Sequence, residues 1–285
     1  MRIGQLTLLD VRETVMKPSL TLNSRGGYRF LPGIEPYSSG VVAEPGWEIV
    51  HATLGHPLAW HAGLVSIRRY LEQMGRDPQA LCGVELRCPE PFSMNGFMAF
   101  NREYRAVLED WDLLIDGANP IARTNVAPVE NPTSESVVVG FSYTVPSDIG
   151  RPTIVVAGGG ELPGTLDSKS IVRVGETSED AIFEKAQCVV EIMRNRLASL
   201  GSNDLLSHIN VYTEHNLRRS LAEAIIPGLP AAARLGVRWV YSRPPIRDIE
   251  FEMDLRGVVR DVVVDFDCLS CRATRSGPAS GEDLT

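Results

Sequence analysis

Residues 119–128 read NPIARTNVAP. Arg123 stands there among small and apolar residues, and no carboxylate lies within the ten residues to pair with it. A guanidinium presents parallel N–H donors in a planar fork that matches a carboxylate, so an arginine without a local partner is a candidate anion ligand. A second candidate, Arg234, stands in AAARLGVRWV (231–240). Further on, IEFEMDL (249–255) alternates acid with apolar residue. On a strand, residues two apart share a face, which would put Glu250 and Glu252 on one side.

Other chemistry-bearing residues are less specific. His51, His56 and His61 fall close together, but their spacing matches no metal signature. Cys268 and Cys271 form a lone C-x-x-C without a second pair. Gly158-Gly159-Gly160 lacks the lysine of a phosphate loop and reads as a tight turn beside a small-molecule site. No metal is expected from these spacings.

The bulk numbers narrow the class. The chain has 285 residues, 44% hydrophobic and 22% charged, with a formal net charge of −8. That balance opposes nucleic-acid binding by phosphate neutralisation. It also makes isolated arginines informative, because an acidic protein that binds anions must concentrate positive charge locally. No apolar run approaches the roughly 20 residues needed to span a membrane. The start, MRIGQLTLLDVRE, lacks a signal-peptide core. The expected compartment is the cytoplasm, and the five cysteines are expected to be reduced thiols.

These residues need elements to position them. The periodicity predicts strand–turn–strand over 39–54, a helix over 59–75, a strand over 80–90, a helix over 97–111, the Arg123 segment and a strand over 136–146. It then predicts a strand over 153–162 and a helix over 178–201, opened by Ser178 and closed by Gly201. A strand over 205–214, a helix over 215–226, the Arg234 segment and one strand over 249–264 follow. The order strand–helix–strand–helix–arginine segment–strand thus occurs twice, as a duplication of fold. The reading gives an N-terminal domain, 1–147, a C-terminal domain, 148–266, and a small, polar, disordered tail, 267–285.

GIEPYSSGVV (33–42) resembles the Gly-x-Pro-Tyr-Ser-x-Gly signature of the RidA/YjgF family, the reactive-intermediate imine deaminases. NPIARTNVAP resembles that family's Pro-Ala-Arg-Ser-x-Val segment, and residues 84–111 resemble its strand, loop and second helix. The resemblance implies an α+β fold of two tandem RidA-like (chorismate mutase-like) domains, each a mixed sheet with two helices on one face, in trimers. It implies a hydrolytic deaminase of a small carboxylate-bearing enamine or imine that needs no metal or organic cofactor. Arg123 or Arg234 would hold the carboxylate and Glu250, or else Glu252, would position water. Tyr37, His56 and Gly159 would line the pocket. Glu250 is preferred as nearer the family's position.

The sequence departs from that pattern. The first half has Tyr37 and Arg123 but no glutamate in its closing strand; the second has the glutamates but no Gly-Pro-Tyr motif. A complete site therefore needs both halves. Two alternatives stand beside the deaminase. One is a chorismatase-like enzyme cleaving a cyclic enol-ether acid, since Gly158 to Glu161 and Glu252 resemble pocket residues of those enzymes. The other is a non-catalytic binder of small carboxylates.

Overall fold

The structure, a computed structural model, describes residues 19–34, 36–164, 167–201 and 206–266. The tail reading, the C-x-x-C pair and the N-terminal leader reading fall outside the described residues.

The first half runs β1 (Thr21–Asn23), β2 (Tyr28–Leu31), β3 (Gly40–Ala43), β4 (Trp47–Ala59), α1 (Trp60–Gln73), β5 (Leu81–Arg87), α2 (Met94–Asp110), β6 (Ala122–Pro128) and β7 (Val137–Pro146). The second runs β8 (Ile154–Gly160), α3 (Glu179–Leu200), β9 (His208–Tyr212), a helical stretch over 218–228 with a π-helical turn at Leu221–Ile225, and a short helix, Ala231–Leu235. It ends with β10 (Arg238–Val240), β11 (Ser242–Arg243), β12 (Glu252–Gly257) and β13 (Arg260–Val264).

These strands form two mixed sheets, ordered β1-β2-β3-β8-β12-β9-β10 and β11-β6-β5-β7-β4-β13. The runs β8-β12-β9-β10 and β4-β7-β5-β6 have the same order and the same polarity: antiparallel, antiparallel, parallel. The duplication of topology is therefore present. The two halves are nevertheless interlocked. β1 to β3 complete the sheet of the second half, and β11 and β13 complete the sheet of the first.

Alternation on each strand explains the layers. Ile154 and Val156 of β8 pack under α3 with Val189, Met193 and Leu197. Val155 and Ala157, one step along, face the other sheet with Tyr28, Val41, Ile49 and Ala122. The apolar faces of α1 and α2, including Leu64, Ile67, Phe100 and Tyr104, cover the outer side of the second sheet. The sheets thus stack on each other with helices outside. α3 has the ends its sequence requires: the Ser178 hydroxyl accepts from the Ala181 N–H at 3.2 Å, and Gly201 closes the helix at φ +70°.

Two readings of the chain are corrected. The alternating run 249–264 is not one strand. Glu250 precedes β12, and after Gly257 the chain leaves for the other sheet, where β13 lies parallel to β4. A period of two is identical for one strand and for two joined by a bend, so periodicity could not see the break. The strand–turn–strand over 39–54 is present as β3 and β4, which pass into different sheets. The tandem arrangement of self-contained sheets gives way to a mixed α+β fold with strands exchanged between halves.

Candidate active site

A cavity of about 350 Å³ opens where the two sheets and their helices meet. Its wall takes Tyr37 from the loop between β2 and β3, Phe97 from α2, Arg123 and Asn125 from β6, Gly158 and Gly160 from β8, Arg196 from α3 and Glu252 from β12. Both halves contribute, as the incomplete motif sets of each half require.

Arg123 is 3% exposed and forms no ion pair among the described residues. Its Nη2 donates to Asn101 Oδ1 at 2.6 Å, while Nη1 is buried without a partner. The guanidinium carbon lies 4.8–5.7 Å from the rings of Tyr104, Tyr37, Phe100 and Phe97, so aromatic faces substitute for a counter-charge. Burial lowers its pKa, yet an arginine stays protonated in a protein. A buried cation with an open N–H is costly unless a partner arrives.

Glu252 is 5% exposed and makes no side-chain hydrogen bond among the described residues. Burial pushes its carboxyl well above the ordinary carboxylate range. The nearby Asp254 charge pushes the same way, against the pull of Arg196 and Arg123. Asp254 has the opposite surroundings. It accepts from Thr124 Oγ1 at 2.7 Å, Asn210 Nδ2 at 2.7 Å and Tyr212 Oη at 2.8 Å. Burial raises the Asp254 pKa as well, partly offset by these donors, so the two carboxyls on one strand face differ in hydrogen bonding, Asp254 being saturated with donors and Glu252 having none among the described residues.

Arg196 is half-buried and donates to the carbonyls of Ala157 at 2.8 Å and Gly158 at 3.2 Å, which fixes its head at the cavity. Glu161 and Lys185 form a fully buried pair at 3.0 Å. Glu161 also accepts from the backbone N–H groups of Glu250 and Phe251, and so anchors the chain entering β12.

The structure thus brings together Arg123, Tyr37 and Glu252 of the residues expected from sequence. It places the others elsewhere. Arg234 is exposed in the last turn of its short helix and does not line the cavity, because the segment around it is helix and not strand. His56 is exposed on β4. Gly159 faces α3, toward Met193 and Arg196, since alternation turns it away from the cavity. Glu250 accepts from His215 Nε2 at 2.7 Å, outside the cavity, because the chain is not yet strand at that point. With Glu214 it forms a half-buried group of donors within 4.8 Å that spacing did not indicate. The three clustered histidines have unrelated settings; His51 is buried beside Ser142 and Arg256, and burial lowers it to about 4. Asn125 and Arg196 were not foreseen; Gly158 and Gly160, read as part of a tight turn beside a small-molecule site, line the cavity as residues of a strand.

The sequence model of a family described as "2-aminomuconate deaminase CnbZ" matches residues 20–262. This chain belongs to that family. A "2-amino-5-chloromuconate deaminase" from Comamonas testosteroni is 38% identical over 254 residues, covering 87% of this chain and all of the relative. The CnbZ match corrects the RidA/YjgF resemblance: it runs from β1 into β13, whereas the RidA resemblance rested on short segments that a turn and a strand start can satisfy. A chorismatase crystal structure is similar at a TM-score of 0.43 and 11% identity, over 84% of this chain and 79% of its own, a likeness too slight to carry fold or function. Among the described residues no helix is long and apolar enough to cross a membrane.

Proposed function

We propose that this chain is a hydrolytic deaminase of a small unsaturated amino-dicarboxylate of the 2-aminomuconate type. Family membership and the 38% identical deaminase support the reaction class. The observation that carries the reading within this molecule is the buried, carboxylate-free Arg123, whose Nη1 lacks a partner, sharing one cavity with Glu252, a buried carboxyl whose pKa burial raises.

Such a substrate has a carboxylate at each end of a six-carbon conjugated chain and an amino group beside one of them. Arg123 holds one carboxylate and Arg196 the other. A cavity of about 350 Å³ lies in the size range of small-molecule sites. Glu252 donates its proton to a carbon of the enamine, which becomes an iminium. The resulting carboxylate then takes a proton from water as the water oxygen bonds to the iminium carbon. The hydroxyl proton of this carbinolamine moves to nitrogen, the C–N bond breaks, and ammonia leaves a 2-oxo acid. Glu252 ends protonated, ready for the next turn. The first step needs an acid and the second a base, and one carboxyl whose pKa is raised by burial serves as both in turn.

The test is ammonia release from freshly generated 2-aminomuconate. Glu252→Gln is expected to lower kcat by about 10²–10⁴-fold. Arg123→Ala is expected to lower kcat/KM by about 10²–10³-fold, the loss of one buried charge-assisted contact. Dicarboxylate binding without ammonia release from the wild type would move the protein to the non-catalytic reading.

A further inference from the structure

Asn125 is 3% exposed, lines the cavity, and neither atom of its amide has a hydrogen-bond partner. The side chain carries one acceptor and two donors, and a buried amide left unmatched forfeits its hydration without compensation. Asn125 lies two residues beyond Arg123 on β6, so the two share a face with Cα atoms about 7 Å apart. Neighbouring polar side chains on β6 are engaged: Thr124 on Asp254, Arg123 on Asn101. Asn125 presents both an unused acceptor and unused donors to the cavity.

We propose that Asn125 reads the substrate's amino group and is the residue that separates amino-substituted substrates from otherwise identical dicarboxylates and from the product. The inference rests on the deaminase reading. An enamine nitrogen donates and the carboxylate beside it accepts, a donor–acceptor pair that the Asn125 amide complements with Oδ1 and Nδ2. A dicarboxylate without the amino group leaves Oδ1 unpaired. A 2-oxo product sets its carbonyl oxygen against Oδ1, acceptor against acceptor, which favours release. Sites that hydrogen-bond a polar substituent reject the analogue lacking it far more strongly than apolar pockets do.

The experiment compares wild type with Asn125→Leu and Asn125→Ala. It measures kcat and KM for 2-aminomuconate, and inhibition by muconate, which keeps both carboxylates and lacks the amino group. Thermal unfolding confirms that each variant is folded. The expected result is a fall in kcat/KM of about 100-fold or more with the muconate inhibition constant within about threefold of wild type. Wild-type kcat/KM in both variants would overturn the proposal. So would a muconate constant that rises in step with the loss, because Asn125 would then only shape the pocket. If the wild type releases no ammonia, the deaminase reading fails separately. Asn125 is then decided by the ratio of 2-aminomuconate to muconate affinity, which must collapse in Asn125→Leu for the proposal to stand.

Discussion

In the proposed reaction Glu252 is useful for the same reason that it burdens the fold. Its folded pKa is raised, first by burial, so the native state holds a proton that the unfolded chain releases from about pH 4.5 upward. Stability from this group is full below the unfolded value and is lost as pH rises through the folded one. Glu252→Gln is neutral throughout. Calorimetry across pH should therefore show the variant gaining on the wild type as pH rises above about 4.5, with a plateau beyond the folded pKa, while turnover is lost. A difference independent of pH would mean an ordinary carboxyl and would remove the acid from the mechanism. Arg123 was legible in the sequence because an arginine without a nearby acid is unusual. Asn125, two residues away, was not, because nothing in an asparagine's sequence neighbourhood says that its amide will be buried unpaired. Arg196 was hidden differently: in the middle of an amphipathic helix a charge reads as solvent-facing, and only the approach of β8 turns it inward.

At the scale of elements, β8 decides how close the acid can come. Its alternation sends Gly158 toward the cavity and Gly159 toward α3. A Cβ on Gly158 would fall 2.2 Å from Glu252 Oε1 and 3.2 Å from the Thr124 backbone. A Cβ on Gly159 would meet Met193 Cε at 2.9 Å and Arg196 Nη1 at 3.0 Å, both ends of flexible side chains. Gly158→Ala should therefore displace the carboxyl and lower kcat by about 10²-fold, at a cost of about 1–3 kcal/mol in stability. Gly159→Ala should keep kcat within about tenfold of wild type. Steady-state kinetics on the pair checks the assignment, and equal losses would mean that the glycines serve only packing. The glycine run was visible as a strand end, but its register was not, because three identical residues carry no alternation to read. Helices were the most legible elements, since α1 and α3 carry clear apolar stripes and α3 both caps. The break between β12 and β13 was the least legible, since a bend leaves the period of two intact.

The whole molecule shows why a reading of two self-contained halves fails. β3 from the first half pairs with β8 from the second, and β13 from the second pairs with β4 from the first. Between the sheets lies a shared layer with Tyr28, Val41, Ile49 and Val155, which neither half can cover alone. The same layer carries charges paired across the sheets: Arg256 of β12 meets Glu85 of β5, and Asp254 of β12 accepts from Thr124 of β6. Separating the halves would expose the apolar part to water, at about 25 cal/mol per Å² of apolar surface, and would break these contacts across the sheets. The cavity sits at this junction, so folding of the two halves and assembly of the site are one event. Calorimetry on the full chain should show a single transition that also marks loss of ligand binding. Fragments 1–147 and 148–266, expressed separately, should show no cooperative unfolding; a cooperative transition in either would mean that the strand exchange is an addition to a stable half and not its condition.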